Sequence, residues 1–140
     1  MDNDTTYISF YNKTGEIRIF KRAIRAIGKP SFIRFLLHQE KRMLLIEPYE
    51  KISFTSFRMP KNFEDDNGRF DVYSKAFTRL ISRAMSWDSQ RSYRIKGEID
   101  ENKKTIIFDL SKAEIITEDN SVNAFTRLYA EQKRKENLDE

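Results

Sequence analysis

The chain has few of the residues that support covalent or metal chemistry. Its 140 residues include no cysteine, one histidine, one tryptophan, four glycines and three prolines. The absence of cysteine excludes disulfides and thiolate metal sites and is typical of a reducing compartment. A single histidine, His38, excludes a two-histidine metal site within one chain, and its place near a hairpin turn predicts a surface position.

Long apolar runs and enzyme signatures are also missing. No apolar segment approaches the ~18 residues that span a bilayer, and the first residues, MDNDTTY, lack the basic and apolar regions of a signal peptide. We therefore expect a cytoplasmic protein that does not associate with membranes. Walker, Rossmann and Gly-x-Ser-x-Gly patterns are absent. We predict no catalytic residues, no metal and no cofactor, and hence a protein that is not an enzyme.

The composition that is present supports a packed core and an uneven charge. Hydrophobic residues make up 39% of the chain and aromatic residues 13%, which is more than a disordered chain usually carries. The formal charge is +4, and it is concentrated in the first half, because residues 1–60 hold 11 Lys/Arg against 6 Asp/Glu. We expect an anionic partner to prefer this half.

The order of predicted elements occurs twice. Residues 15–46 have the pattern of a strand, a short helix and a two-stranded hairpin, and residues 68–110 follow the same order. Each copy begins with a glycine, Gly15 or Gly68, and follows a further apolar run. Each copy is too small to close a core alone. We therefore predict one pseudo-symmetric β-rich domain over residues 1–116, with copy one at about 7–48 and copy two at about 52–112.

Periodicity assigns faces to the predicted elements. In the second copy, Ser74 is suited to cap a helix that runs to about Ser86. Its predicted apolar stripe consists of Phe77, Leu80, Ile81, Ala84 and Met85, and its predicted wet face of Lys75, Arg79 and Ser82. In the first copy, consecutive apolar residues (Leu36 with Leu37, Leu44 with Leu45) predict strands that are buried on both faces.

The end of the chain has a different pattern. Residues 117–140 are predicted to form a C-terminal amphipathic helix with a charged tail. The apolar stripe of this predicted helix consists of Val122, Phe125, Leu128 and Tyr129. An apolar stripe on an exposed helix needs a partner or must pack back on the domain. A protein partner that binds this helix is therefore one of two alternatives, and packing of the helix on the barrel is the other.

The segment GEIRIFKRAIRAIG at residues 15–28, followed by a hairpin, resembles the AbrB/MazE-type swapped-hairpin barrel family. That family's pattern is Gly-Arg, a β-branched strand, Pro-Lys, a short helix ending Leu-Gly, and two strands. The matching positions are Gly15, Ile17, Ile19, Lys21, Ile27 and Gly28, and Gly68-Arg69 is the clearest match in the second copy. Three positions depart from the pattern: Glu16 replaces the arginine, Phe20 and Tyr73 replace the proline, and Ile24 replaces the helix cation.

The resemblance implies an α+β fold, an AbrB-like swapped-hairpin barrel built from two strand–helix–hairpin repeats in one chain, plus the C-terminal helix. In this family two chains normally assemble the barrel, which often binds DNA. With both repeats in one chain we expect pseudo-two-fold symmetry and a monomer or weak homodimer. The predicted packing sets Ile17, Ile19, Ile24 and Ile27 against Phe70, Val72, Phe77 and Leu80.

A basic segment is the candidate binding site. Five cations fall within twelve residues, opposed nearby only by Glu16, and the resemblance adds Arg69 of the second copy; the predicted nucleic-acid-binding residues are Arg18, Lys21, Arg22, Arg25, Lys29 and Arg69. Such a surface can neutralise phosphates, although an ordinary solvated helix face has the same composition. We therefore expect an AbrB-type DNA-binding regulator. The alternative is a non-enzymatic protein-interaction module, antitoxin-like or a mobile-element accessory protein, without nucleic-acid binding.

Overall fold

A computed structural model of the chain describes residues 5–53, 56–59 and 68–117. Two helices and nine strands lie within these residues. The strands of the first half are β1 (Thr5–Tyr11), β2 (Glu16–Phe20), β3 (Phe32–His38) and β4 (Met43–Tyr49), with helix α1 (Lys21–Ala26) between β2 and β3. The second half contains β5 (Ser56–Arg58), β6 (Arg69–Tyr73), helix α2 (Lys75–Met85), β7 (Ser92–Asp100), β8 (Thr105–Asp109), a 3-10 turn (Leu110–Lys112) and β9 (Glu114–Ile115).

The strands form a nearly closed antiparallel barrel in which the two halves alternate. Their order is β5-β3-β4-β8-β7-β1-β2-β6, and β9 pairs with β7. The strands β1, β2, β3 and β4 of the first half are equivalent to β5, β6, β7 and β8 of the second. The β1–β7 pairing therefore has an equivalent in β5–β3, and the β3–β4 pairing has one in β7–β8. All four pairings are formed. The β1–β2 pairing has no formed counterpart between β5 and β6 within the described residues, and there the barrel stays open. The prediction of a barrel fold is confirmed at this level of description.

The register of the strands places equivalent residues opposite each other. Arg18 and Asp71, each three residues after its repeat's first glycine, are Cα partners in the β2–β6 pair. Leu45 and Ile107, the third residues of β4 and β8, are Cα partners on the far side of the barrel. The strand pairing therefore has a pseudo-two-fold axis through these two pairs.

Backbone hydrogen bonds join each helix start to the other repeat. The Lys21 amide donates to the Gly68 carbonyl at 3.0 Å, and the Ser74 amide donates to the Gly15 carbonyl at 2.8 Å. Gly15 has a φ of 81°, and a Cβ there would lie 2.9 Å from the Lys75 amide nitrogen. Glycine is required at this position because other residues rarely adopt this φ and the space is filled.

Both repeats contribute to one aromatic core. The Phe35 ring centroid lies 5.2 Å from that of Phe57 and 5.0 Å from that of Phe77, so β3, β5 and α2 meet there. All three side chains are at least half-buried, and Phe35 and Phe77 are 1% exposed. Aromatic pairs at these separations add to the free energy of burial. A core shared in this way cannot be divided between the halves.

The predicted apolar stripe of α2 is partly wrong. Ser74 caps the helix by accepting from the Phe77 amide at 3.1 Å, and Ser86 ends it with a left-handed φ of 57°, as predicted. Leu80, however, is 45% exposed, whereas Ser82, assigned to the wet face, is 6% exposed. The buried face is rotated toward Ser82 because the β1–β2 turn and the segment after α2 cover that side.

The expectation that β3 and β4 are buried on both faces is also wrong. Leu44 is fully buried in the barrel, but Leu36 on the outer face is 39% exposed. Leu36 pairs with Leu45, and Leu45 pairs with Ile107, which is 37% exposed. These three residues form an apolar row on the outside of the barrel. The predicted C-terminal helix lies outside the described residues.

Candidate nucleic-acid interface

Helix α1 brings half of the predicted cations to one end of the β2–β6 pair. Lys21, Arg22 and Arg25 belong to the helix, whose sequence, KRAIRA, contains no acidic residue. Ala23 and Ile24 are buried, so the helix presents its cations on the side away from the core. Ile24, at the position where the resemblance leads us to expect a cation, is one of the buried residues.

The cations of α1 differ in how firmly the fold holds them. The Arg22 guanidinium donates to the Thr5 carbonyl of β1. Arg25 is half-buried. The Lys21 side chain lies over Gly68, where a Cβ would approach its Cδ to 2.9 Å. These contacts fix the helix face against both repeats.

Two further predicted cations flank α1, and a third joins them. Lys29 is exposed just after the helix, with a left-handed φ of 50°. Arg69 is exposed and is the Cα partner of Phe20, the residue that precedes α1. Lys104, from the hairpin turn of the second repeat, has its Nζ 3.8 Å from the position of a Cβ on Gly28. The pairing of the repeats therefore gathers cations that are far apart in the sequence.

Arg18 stands apart from this group. It lies on the outer face of β2, where its guanidinium contacts Glu16 at 3.1 Å and Asp71 at 3.2 Å. Partial burial alone would lower the pKa of Arg18, but the Asp71 hydrogen bond and the neighbouring acids raise it above its ordinary value. The expectation that only Glu16 opposes this segment is wrong, since Asp71 also faces it. A guanidinium held between two carboxylates is a poor phosphate contact.

Helix α2 carries a second set of cations, of which periodicity predicts Lys75 and Arg79 on its wet face. Lys75, Arg79 and Arg83 follow one another at intervals of four residues, and the helix sequence, KAFTRLISRAM, contains no acidic residue. Four residues advance a helix by about 6 Å, so the three cations form a line along it. Lys13, in the β1–β2 turn, lines the same groove as Arg79 and Arg83.

The other candidate sites concern metal binding and the single histidine, His38. Within residues 5–53, 56–59 and 68–117, no cluster of three or more His, Asp or Glu side chains is placed to hold a metal ion. His38 is exposed and accepts from the Lys41 amide at 3.2 Å, as a turn residue does. No helix of the described part is long and apolar enough to cross a membrane. No known protein family, curated protein or solved structure matches this chain.

Proposed function

We propose that the protein binds the phosphate backbone of DNA and acts as a transcriptional-regulator-like protein of the AbrB type. The observation that carries the proposal is that both helices contain three cations each and no acidic residue. The acidic residues of the described barrel lie mainly in strands and turns, such as Glu47 in β4 and Glu98 in β7. Cations separated from acids in this way suit a polyanion partner.

The two cationic helices begin at opposite ends of the β2–β6 pair. Five residue pairs form this ribbon, and at about 3.4 Å per residue its ends lie roughly 15 Å apart. The first end holds Lys21, Arg22, Arg25, Lys29 and Arg69, which are the predicted residues without Arg18. The second end holds Lys75, Arg79 and Arg83. Each end supplies its own phosphate contacts, so their contributions to affinity are separable.

The direct test is duplex DNA binding as a function of salt. We expect the logarithm of the association constant to fall linearly with the logarithm of salt between about 50 and 200 mM, with a slope near −0.9 for each phosphate contacted. Fluorescence anisotropy of a labelled duplex measures this slope. An absence of binding at low salt would reject the proposal.

Charge reversal locates the contacts. Lys29→Glu with Arg69→Glu should weaken binding and reduce the slope, because both side chains are exposed beside α1. Lys96→Glu with Lys112→Glu is the matched control, since it changes the net charge equally at exposed positions on β7 and the 3-10 turn. If the control pair weakens binding as much as the test pair, the interaction depends on net charge and not on this surface. Circular dichroism checks that both proteins are folded.

A second candidate function is a non-enzymatic protein-interaction module, and the exposed apolar row favours it. Leu36, Leu45 and Ile107 are contiguous across β3, β4 and β8. The row lies on the pseudo-two-fold axis, and we propose a second copy of the chain as its partner. Sedimentation velocity should show a concentration-dependent dimer that Ile107→Lys abolishes. A wild-type protein that stays monomeric at high concentration would reject this candidate.

A further inference from the structure

A groove between α2 and the β1–β2 turn is lined mainly by polar and cationic side chains. It is open on one side and has a volume of about 560 Å³. Its lining residues are Asn12, Lys13, Thr78, Arg79, Ser82, Arg83, Ser86, Trp87, Ser89 and Gln90. None of the described residues that line this groove carries a carboxylate.

Two hydroxyl side chains form the base of the groove on α2. Thr78 is 1% exposed and Ser82 is 6% exposed, on the side of the helix that periodicity predicts to be wet. The Thr78 hydroxyl donates back to the Lys75 carbonyl at 3.1 Å, but the buried Ser82 Oγ has no hydrogen-bond partner among the described residues. A buried hydroxyl without a partner costs stability. Packing therefore does not explain a serine at this position.

The charges at the rim are also unfavourable for the isolated protein. Arg79 and Arg83 are four residues apart on one helix face, a spacing at which like charges repel. None of the ion pairs formed within the described part of the chain involves Lys13, Arg79 or Arg83, and the nearby Asp88 lies 4.0 Å from Arg91. A bound anion would relieve this repulsion.

The far wall of the groove is held in place. The Asn12 side-chain amide donates to the Arg91 carbonyl at 3.0 Å, which ties the β1–β2 turn to the segment after α2. Trp87 stacks on Tyr93 with ring centroids 4.4 Å apart and tilts against Phe10 at 5.9 Å. These two ring contacts hold the indole against the barrel.

We propose that this groove binds a phosphoryl group. Arg79, Arg83 and Lys13 supply positive charge and directed donors, and the Ser82 hydroxyl supplies one more donor at the base. A phosphoryl group fits better than a carboxylate because it carries up to two charges and three acceptor oxygens. The group belongs either to a nucleic-acid strand or to a small phosphorylated molecule. The proposal does not depend on DNA binding by the α1 end.

Titration of the full chain with inorganic pyrophosphate, followed by ¹H–¹⁵N NMR, tests the site. We expect saturable shifts at the amides of Thr78, Ser82 and Lys13. Arg83→Gln should weaken binding by about tenfold, which is typical for the loss of one charged hydrogen bond. Arg58→Gln is the matched control, because Arg58 is exposed on β5 over the Phe32 ring and should leave the dissociation constant unchanged.

Ser82→Ala separates a binding role from a structural one. We expect several-fold weaker pyrophosphate binding, together with an unchanged or higher midpoint of urea unfolding, because the unpaired hydroxyl is removed. If Ser82 is only structural, the dissociation constant will not change. That result, combined with an unchanged constant for Arg83→Gln, would overturn the proposal. So would the absence of saturable shifts at low salt.

Oligonucleotides then distinguish the two sources of the phosphoryl group. Binding of a 5′-phosphorylated strand or a duplex that pyrophosphate displaces, and that Arg83→Gln weakens, assigns the group to nucleic acid. Saturable pyrophosphate binding without any binding of DNA supports the groove while rejecting the DNA-binding proposal. DNA binding that neither pyrophosphate nor Arg83→Gln affects supports the α1 end and, when pyrophosphate itself binds saturably, assigns the groove to a small phosphorylated molecule.

Discussion

Arg18 of β2 and Asp71 of β6 form an ion pair, with Nε 3.2 Å from Oδ1. The two residues occupy equivalent positions, Arg18 in the first repeat and Asp71 in the second. The pseudo-two-fold axis therefore passes through two side chains of opposite charge. Glu16 contacts the same guanidinium at 3.1 Å. This junction joins the two repeats through charge, whereas Leu45 and Ile107 join them on the far side through apolar contact.

Asp71→Asn should alter the titration of Glu16. The Asp71 hydrogen bond, with burial and the second negative charge, raises the pKa of Glu16 above its ordinary 4.5. A raised folded-state pKa means that this group's contribution to stability is present below pH 4.5 and is lost as pH rises through the raised value. In Asp71→Asn we expect the Glu16 pKa to fall toward its ordinary range, measured by NMR titration of its carboxyl carbon. An unchanged Glu16 titration would contradict the assigned cause.

Gly97→Ala should destabilise the barrel. Gly97 and Phe108 are Cα partners in β7 and β8, and a Cβ on Gly97 would lie 2.3 Å from the Phe108 ring. Because Phe108 is fully buried, the ring cannot move without disturbing the core. We expect a loss of about 1–3 kcal/mol in the free energy of unfolding, measured by urea denaturation. Phe108→Leu in the same background should cost less than it does alone, and fully additive effects would show that the ring does not cause the loss.

Asp109→Ala should remove an acid-sensitive cap. Asp109 Oδ1 accepts from the Ser111 amide at 3.1 Å at the start of the 3-10 turn. A hydrogen bond from the Ser111 hydroxyl, together with the one from its amide, lowers the pKa of Asp109 below its ordinary 3.8. Its contribution is therefore present above pH 3.8 and is lost as pH falls through the lowered value. We expect a cost of about 1 kcal/mol near pH 7 that disappears in strong acid, by thermal unfolding across pH. An equal cost at all pH values would argue against the cap.

A fragment that ends at Tyr49 should not fold as a monomer. Residues 5–49 contain the β1–β2 and β3–β4 hairpins, which pair with strands of the second repeat and not with each other. Two-stranded hairpins are marginally stable alone in water. We expect the fragment to be unfolded or dimeric by circular dichroism and sedimentation. A folded monomer would show that the repeats are independent.

The sequence predicted the elements well where the pattern is local. Alternation located β1, β2 and β6, and the capping serine Ser74 and the end near Ser86 defined α2. The exposed Leu80 and buried Ser82 were assigned to the wrong faces, because one of the segments that cover the helix, the β1–β2 turn, lies more than sixty positions away in the chain. A helical wheel contains no information about such segments.

The candidate site was less predictable for the same reason. The cations around α1 are adjacent in sequence and were found, but Asp71 reaches Arg18 only through the β2–β6 register. The groove combines Lys13 with Arg79 and Arg83, more than sixty positions apart along the chain. One sequence signal was available: the α2 segment contains three cations and no acid.

The alternation of the two repeats around the barrel has a consequence for synthesis of the protein. Ile8 is paired with Ile95, which leaves the ribosome 87 residues later. At a synthesis rate of about 5–20 residues per second, several seconds pass before this pairing partner of β1 emerges. During that interval the first repeat has both hairpins but no completed barrel, and its isoleucine-rich strands remain without their final cover. Native pairings this distant also slow folding after release. We expect the nascent first repeat to be the stage at which this protein most depends on chaperones.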